Sequence, residues 1–402
     1  MKRILALLAC LLITSTAFSK ERRIVEFGAD VGVGVSNNYF SIFDVYNNNE
    51  DKTLVIDFND MANQFTHSDF AISTDVAVKS YFNLNLSSDL KMGVFVAADA
   101  WTYTAIPGGL FSLIADGNEL NQTYSESLLI QANTFASVGA ELYMRTGKLG
   151  IRFAPSYFMP LMVVRDATAI YSLSTNSSGT ITASTEVDIP VYSTVPLEEL
   201  DINSMDSMIN TILGNGGLDF TLAADYQLTK EWLLGASLTN IPVLPARLNY
   251  RWDVSSSFNF QIDSITDQMI AETMPEPDFE TSSSSSTVEV DDIVRAMKFN
   301  ATALYTPRWF KPLSIEPNLG LALYEGLVYV DFGLKTQLNF ANIIILQAAA
   351  ERRDLIWYQH AGLILNVRLL EIEANIGMAS ASFLSSYSAN GLYGMLGIRI
   401  GI

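Results

Sequence analysis

The 402-residue chain holds two histidines, His67 and His360, and a single cysteine, Cys10. Nucleophilic hydrolysis needs a serine beside a histidine that a third group orients. His360 shares a strand face with Tyr358, Asn366 and Arg368, and no serine stands at a matching depth; His67 falls at the end of a long connection. Both histidines read as structural or solvated. No Gly-rich phosphate loop or metal-spaced cluster accompanies them, so the expectation is no enzyme, no cofactor and no metal. Four charged residues cluster instead. Arg368, Glu371, Glu373 and Arg399 come from the last strands, near one end and on one face. Unpaired charges inside an apolar wall are costly, so these are expected to pair across strands, as a structural ion network or as an inner gate.

A second set of residues suits hydrophobic contact. Met205, Met208, Ile209 and Ile212 follow the i, i+3, i+4, i+7 spacing of an apolar helix stripe, with Asp201, Asp206 and Asn210 on the polar side. Pro196 opens this short amphipathic helix and Gly214 closes it. Phe111, Leu113 and Ile114 form a further apolar loop segment. Together they are candidate binding residues for a hydrophobic ligand at a channel mouth, with packing against neighbouring loops as the equal alternative.

The elements that carry these residues are strands. The last twelve residues alternate, with Leu392, Leu396, Ile398, Ile400 and Ile402 on one face and Tyr393, Met395 and Arg399 on the other. Two-residue periodicity recurs at 24–35, 69–83, 89–103, 127–144, 149–163, 217–227, 231–263 (interrupted at Pro242 and Pro245), 294–306, 313–323, 328–337, 341–350, 355–367, 370–380 and 391–402. The prediction is an all-β, antiparallel transmembrane barrel of about 14 strands. The connections mostly alternate in length: 36–68, 104–126, 164–216, 264–293 and 381–390 are long, while 84–88, 145–148, 228–230, 307–312, 338–340 and 368–369 are short; 324–327 and 351–354, on the long-loop side, are short and depart from the alternation. Long loops at one end and tight turns at the other are the expected asymmetry of an outer-membrane barrel with both termini in the periplasm. Within the loop 164–216, residues 168–175 and 180–192 read as a hairpin turning at Asn176–Gly179. Pro242 and Pro245 mark a bulge, a bend or a side opening.

Composition agrees with that setting. Residues 1–19 read as a signal peptide, with Lys2 and Arg3 before an apolar run too short to span a bilayer. Its removal takes two basic residues and changes the net charge from −19 to −21 over 20–402, a single barrel domain. Such acidity excludes nucleic acid as a partner. The mean hydropathy is nonetheless positive. Some segments, such as Ile343–Leu346 and Leu363–Leu365, are apolar on both faces. A partly apolar lumen suits a hydrophobic solute or a plugged core, and a general porin would show a polar lumen throughout.

The strand pair Leu218-Asp219-Phe220-Thr221-Leu222 through Tyr226, then Trp232-Leu233-Leu234-Gly235-Ala236-Ser237-Leu238-Thr239-Asn240-Ile241, resembles later strands of the FadL-like outer-membrane long-chain fatty-acid transporters. The apparent strand count over nearly the whole mature chain resembles that family too. The Asn-Pro-Ala stretch of the family's hatch is absent, and no binding residue is carried over. The resemblance implies passive uptake of hydrophobic small molecules such as long-chain fatty acids, with lipid as the surrounding partner. The competing expectation is a surface-exposed adhesion or scaffold barrel with a closed lumen.

Overall fold

The computed structural model describes residues 23–41, 56–117, 119–165, 167–194, 213–262, 278–324, 327–353, 356–367, 369–380, 383 and 389–402. Among the described residues, eighteen strands form one sheet. In chain order they are β1 (Val25–Asn37), β2 (Phe70–Leu84), β3 (Leu90–Ile106), β4 (Gln122–Thr146), β5 (Leu149–Val164), β6 (Thr168–Thr175), β7 (Ile181–Ser193), β8 (Gly217–Gln227), β9 (Trp232–Leu244), β10 (Ala246–Ile262), β11 (Asp278–Ile293), β12 (Met297–Tyr305), β13 (Leu313–Tyr324), β14 (Leu327–Phe340), β15 (Ile344–Arg353), β16 (Ile356–Val367), β17 (Leu370–Ser380) and β18 (Gly391–Gly401).

The pairings close a ring. β1 pairs β2, and each step thereafter is antiparallel through β3, β4, β5, β8, β9, β12, β13, β14, β15, β16, β17 and β18, which pairs back onto β1 from Glu26–Gly401 to Ser36–Gly391. Fourteen of the eighteen strands therefore make the wall, and every one of the fourteen periodic segments contributes to it. Closure leaves the fourteen-strand wall without a free edge, which is what allows a sheet to cross a bilayer. No described helix is long and apolar enough to do so.

The remaining four strands stand beyond the ring. β6 pairs the outer part of β4, β7 pairs β6, the end of β5 and β10, and β10 pairs β11. The β6–β7 hairpin turns where expected. Asn176 Oδ1 accepts from the amides of Ser178 and Thr180 at 3.0 and 2.9 Å, and Gly179 takes φ +81°. The expected single strand 231–263 is corrected here. Pro242 and Pro245 cannot donate to a ladder, so β9 stays in the wall and β10 leaves it to pair with β7. β9 carries two register shifts against β8, and Asn240, at φ +58°, sits in the inner one. Asn240 Nδ2 donates to the Ala296 carbonyl at 2.9 Å just past the last β9–β12 pair, Thr239–Lys298. The segment 294–296, expected in a strand, is thereby a connection that enters the lumen.

Two helices close onto each other at the long-loop end: α1 (Phe58–Gln64) and α2 (Gly108–Asp116). Asp57 caps α1 by accepting from the amides of Asn59 and Asp60. Met61, Ala62, Phe65, Phe70 and Phe111 form their shared buried cluster, with Tyr39 and Phe40 against it. Neither helix is legible from periodicity, because each is under three turns long. The turn expected at 338–340 falls at Ala341–Asn342, both at positive φ.

Alternation sorts the wall. Phe27, Val33, Val35, Val94, Val96, Val328, Val330, Ile376, Leu392 and Ile400 are exposed on the outer face. Asp30, Asp75, Lys79, Asp331, Glu373 and Arg399 share the inner one, as the register requires. Trp232 stacks on Tyr305 at 4.6 Å, and Trp309 lies 78% exposed, both near the end that holds the chain termini. Trp357 packs on Phe332 and Phe383 towards the other end. Aromatic rings at both rims suit the half-wet boundary of a bilayer.

Candidate functional site

The lumen divides into a polar mesh near the termini and a chamber nearer the long loops. The mesh is built on β1, β2, β15, β16, β17 and β18. Arg399 pairs with Glu371, with Glu373 at 3.1 Å and with Asp30 at 3.6 Å, and its Nε donates to Tyr81 Oη at 2.9 Å. Arg23 adds Glu26 at 3.1 Å, Glu371 at 3.6 Å and Asn366 Oδ1 at 2.9 Å. Gln347 and Asn375 each donate to Glu373 Oε1 at 3.1 Å. The structure thus brings together Glu371, Glu373 and Arg399; Arg368 lies outside the described residues. Gly28 leaves the space into which the Tyr81 ring lies, so a side chain there would displace the ring that meets Arg399.

The chamber has a volume of about 310 Å³. Asp75, Asp99, Trp101, Asn133 and Phe135 line it from β2, β3 and β4, and Lys298, Ala322 and Asp331 from β12, β13 and β14. Arg295, on the connection before β12, reaches in beside them. Its guanidinium holds both Asp219 oxygens at 2.8 Å, donates to Ser156 Oγ at 2.7 Å and lies over the Phe158 ring at 5.2 Å. Asp219 is buried to 3% exposure, so this bidentate pairing offsets its loss of water. Asp99 faces the chamber and takes part in no hydrogen bond through its side chain among the described residues.

An aromatic bridge crosses the lumen beside the chamber. Trp101 and Tyr103 of β3 stack at 6.0 Å, and the Tyr329 ring of β14 meets them edge-on at 6.1 and 5.8 Å. β3 and β14 are opposite in the ring, with six strands between them in either direction. Rings from opposite walls therefore touch. Tyr103 and Tyr329 are buried, at 4% and 8% exposure.

Phe111 is a core residue of the α1–α2 cap, Leu113 is buried beside it, and Ile114 is half exposed. Met205, Met208, Ile209 and Ile212 lie outside the described residues, as does most of their expected helix. His360 sits 3.9 Å from Glu351 and packs on Tyr393. Sequence reasoning missed Asp75, Asp99, Trp101, Asp219, Arg295, Tyr329 and Asp331. The available signal was a carboxylate or aromatic on the inner phase of a strand, as Asp331 is between Val330 and Phe332.

No family model and no curated protein matches the chain. Among solved structures it is similar to the P. putida toluene transporter TodX (9% identity, 98% of this chain and 94% of that one covered, TM-score 0.49), to the Ralstonia pickettii toluene transporter TbuX (9%, 98% and 93%, 0.43) and to the translocator domain of the autotransporter NalP from Neisseria meningitidis (7%, 99% and 95%, 0.34). The barrel architecture is read from the chain's own strand pairing.

Proposed function

We propose that this protein is a barrel of the bacterial outer membrane that passes small hydrophobic molecules passively, with both termini in the periplasm and long-chain fatty acids among the solutes its resemblance implies. The observation that carries the reading is a chamber, more apolar than polar in its lining, inside a closed ring whose outer face is greasy. Trp101, Phe135, Ala77 and Ala322 supply apolar surface, while Asp99 and Asn133 supply polar contacts for one end of a solute. Ile114 and the stripe Met205, Met208, Ile209 and Ile212 are the residues for first capture at the mouth, and Phe111 and Leu113 hold the cap beside it.

The test is titration of the detergent-purified protein with the neutral fluorophore N-phenyl-1-naphthylamine. Saturable energy transfer from tryptophan, reduced in Trp101→Phe, is the expected result. A purely linear, partition-like signal would remove the conduit reading. Uptake of a labelled long-chain fatty acid into proteoliposomes tests the finer claim.

The scaffold reading has one observation in its favour. β6, β7, β10 and β11 extend the sheet beyond the ring, anchored by a buried cluster of Phe135, Phe158, Val163, Tyr192, Leu248 and Ile293. A projecting sheet is a surface for a protein partner. Failure of any solute to bind, with the barrel folded, would favour it.

A further inference from the structure

Resting on the placement of the barrel in a bilayer, and not on the passage of any solute, we infer that a trough on the outward wall binds the acyl chain of a phosphate-headed lipid, with Arg352 holding the phosphate. The first observation is shape. Register lays the outward side chains of β14, β15, β16 and β17 in rows. Phe332, Arg352 and Trp357 form the row nearest the long-loop end. Leu334, Ala350, Gln359 and Met378 form the next, and Thr336, Ala348, Ala361 and Ile376 the third. The alanines of β15 and β16 leave a low floor. The larger side chains of β14 and β17 stand as its walls, with Ile376 70% exposed. The hollow between them has a volume of about 880 Å³, within the range of small-ligand sites. Its polar side chains are turned onto the protein. Gln359 Nε2 donates to the Phe383 carbonyl at 2.9 Å, and Thr336 Oγ1 to the Ala348 carbonyl at 3.2 Å. What the trough offers a ligand is therefore apolar surface, which a hydrocarbon chain covers without stranding a polar group.

The second observation is charge at a matching depth. Arg352 stands at the rim end of the trough, its guanidinium 6.0 Å from the Phe332 ring centroid. The ring gives it no acceptor oxygen, and among the described residues no carboxylate pairs with it. Its register partner Trp357 packs on Phe332 and Phe383. Rings in such a cluster sit at the headgroup level of a bilayer. The cation is then level with lipid phosphates, while the alanine floor beneath it faces their acyl chains. Arginine takes a phosphate through two N–H groups at once, which a lipid head at this height supplies. A second copy of the chain fits less well. A twofold contact sets the same face against itself. Trough would oppose trough, the walls would meet first, and the floors would be left over a void.

The experiment places the full barrel in phosphatidylcholine vesicles and adds lipids with brominated acyl chains, which quench tryptophan on contact. Brominated phosphatidate is compared with brominated phosphatidylcholine of the same chains. The signal of Trp357 is the part lost in Trp357→Phe. Phosphatidate is expected to half-saturate its quenching at a mole fraction about fivefold below that of phosphatidylcholine. Arg352→Gln is expected to bring the two lipids together. Ala348→Leu with Ala361→Leu fills the floor and is expected to remove the preference with Arg352 in place. Equal quenching by the two lipids in the wild type overturns the proposal, as does a preference that survives Arg352→Gln. Should the filled variant fail to fold, Arg352→Gln decides the question. Trp357 shielded from both lipids, with a dimer on sedimentation, overturns it in favour of a second copy. Each of these outcomes leaves the conduit standing, since binding of N-phenyl-1-naphthylamine in the chamber is read separately. No quenching of any tryptophan, the 78% exposed Trp309 included, overturns the bilayer placement and the conduit with it.

Discussion

Arg399 illustrates how single residues are held in this barrel. Its guanidinium answers Glu371, Glu373, Asp30 and Tyr81 at once. Arg399→Met leaves three carboxylates facing one another, two of them with side chains only 15% and 12% exposed. Breaking an enclosed pair on one side costs about 2–4 kcal/mol after allowance for lumen water. Urea unfolding in lipid vesicles is the measurement, and Arg399→Met with Glu371→Gln and Glu373→Gln should regain part of the loss. Arg295→Met strands the more deeply buried Asp219 and should cost more, about 3–5 kcal/mol. Asp69, beside the cap, has its carboxyl pushed up from the ordinary aspartate value, first by burial and then by the neighbouring Glu126. A raised acid favours the fold when protonated, so its contribution is present at low pH and is lost as the pH rises through the folded value. Protection of α2 amides from hydrogen exchange should therefore be greater at the acid side of that window, and Asp69→Asn should abolish the difference.

At the scale of elements, turns and bulges set the register that brings these residues to one height. The β14–β15 turn places Ala341 at φ +55° and Asn342 at φ +59°. Asparagine tolerates that region and alanine does not, because its Cβ crowds the carbonyl. Ala341→Gly should raise stability by up to about 1 kcal/mol, read from the midpoint of urea unfolding. The β9 bulge is the complementary case. There the strand spends two prolines and a left-handed Asn240 to detach β10 from the wall and to send the connection carrying Arg295 inward. The periodic pattern marked 231–263 as interrupted, and the prolines are a visible cause. The destination of β10 was not legible, since pairing with β7 depends on residues that lie 57 to 81 positions earlier in the chain.

At the scale of the molecule, ring closure is the property on which solubility, resistance and passage all depend. The detergent-extracted protein should migrate faster unheated than boiled on a denaturing gel, because a closed ladder has no edge at which unfolding begins. A single unshifted band would contradict the closed ring. The sequence alone determined the inner and outer faces, because a strand turns its side chains through half a revolution per residue and lipid tolerates only the apolar set. It also determined the fourteen wall segments and the β6–β7 hairpin, whose signals lie within a few neighbouring residues. Ile343–Leu346, apolar throughout, illustrates the limit: alternation turns Ile345 inward and Ile344 and Leu346 outward once the turn is fixed. Only the tertiary structure decided what meets across the lumen. Trp101 and Tyr329 are 228 positions apart, and nothing local to either reports the other. Their contact follows from strand order and register around a closed ring, a sum over every hairpin in the wall.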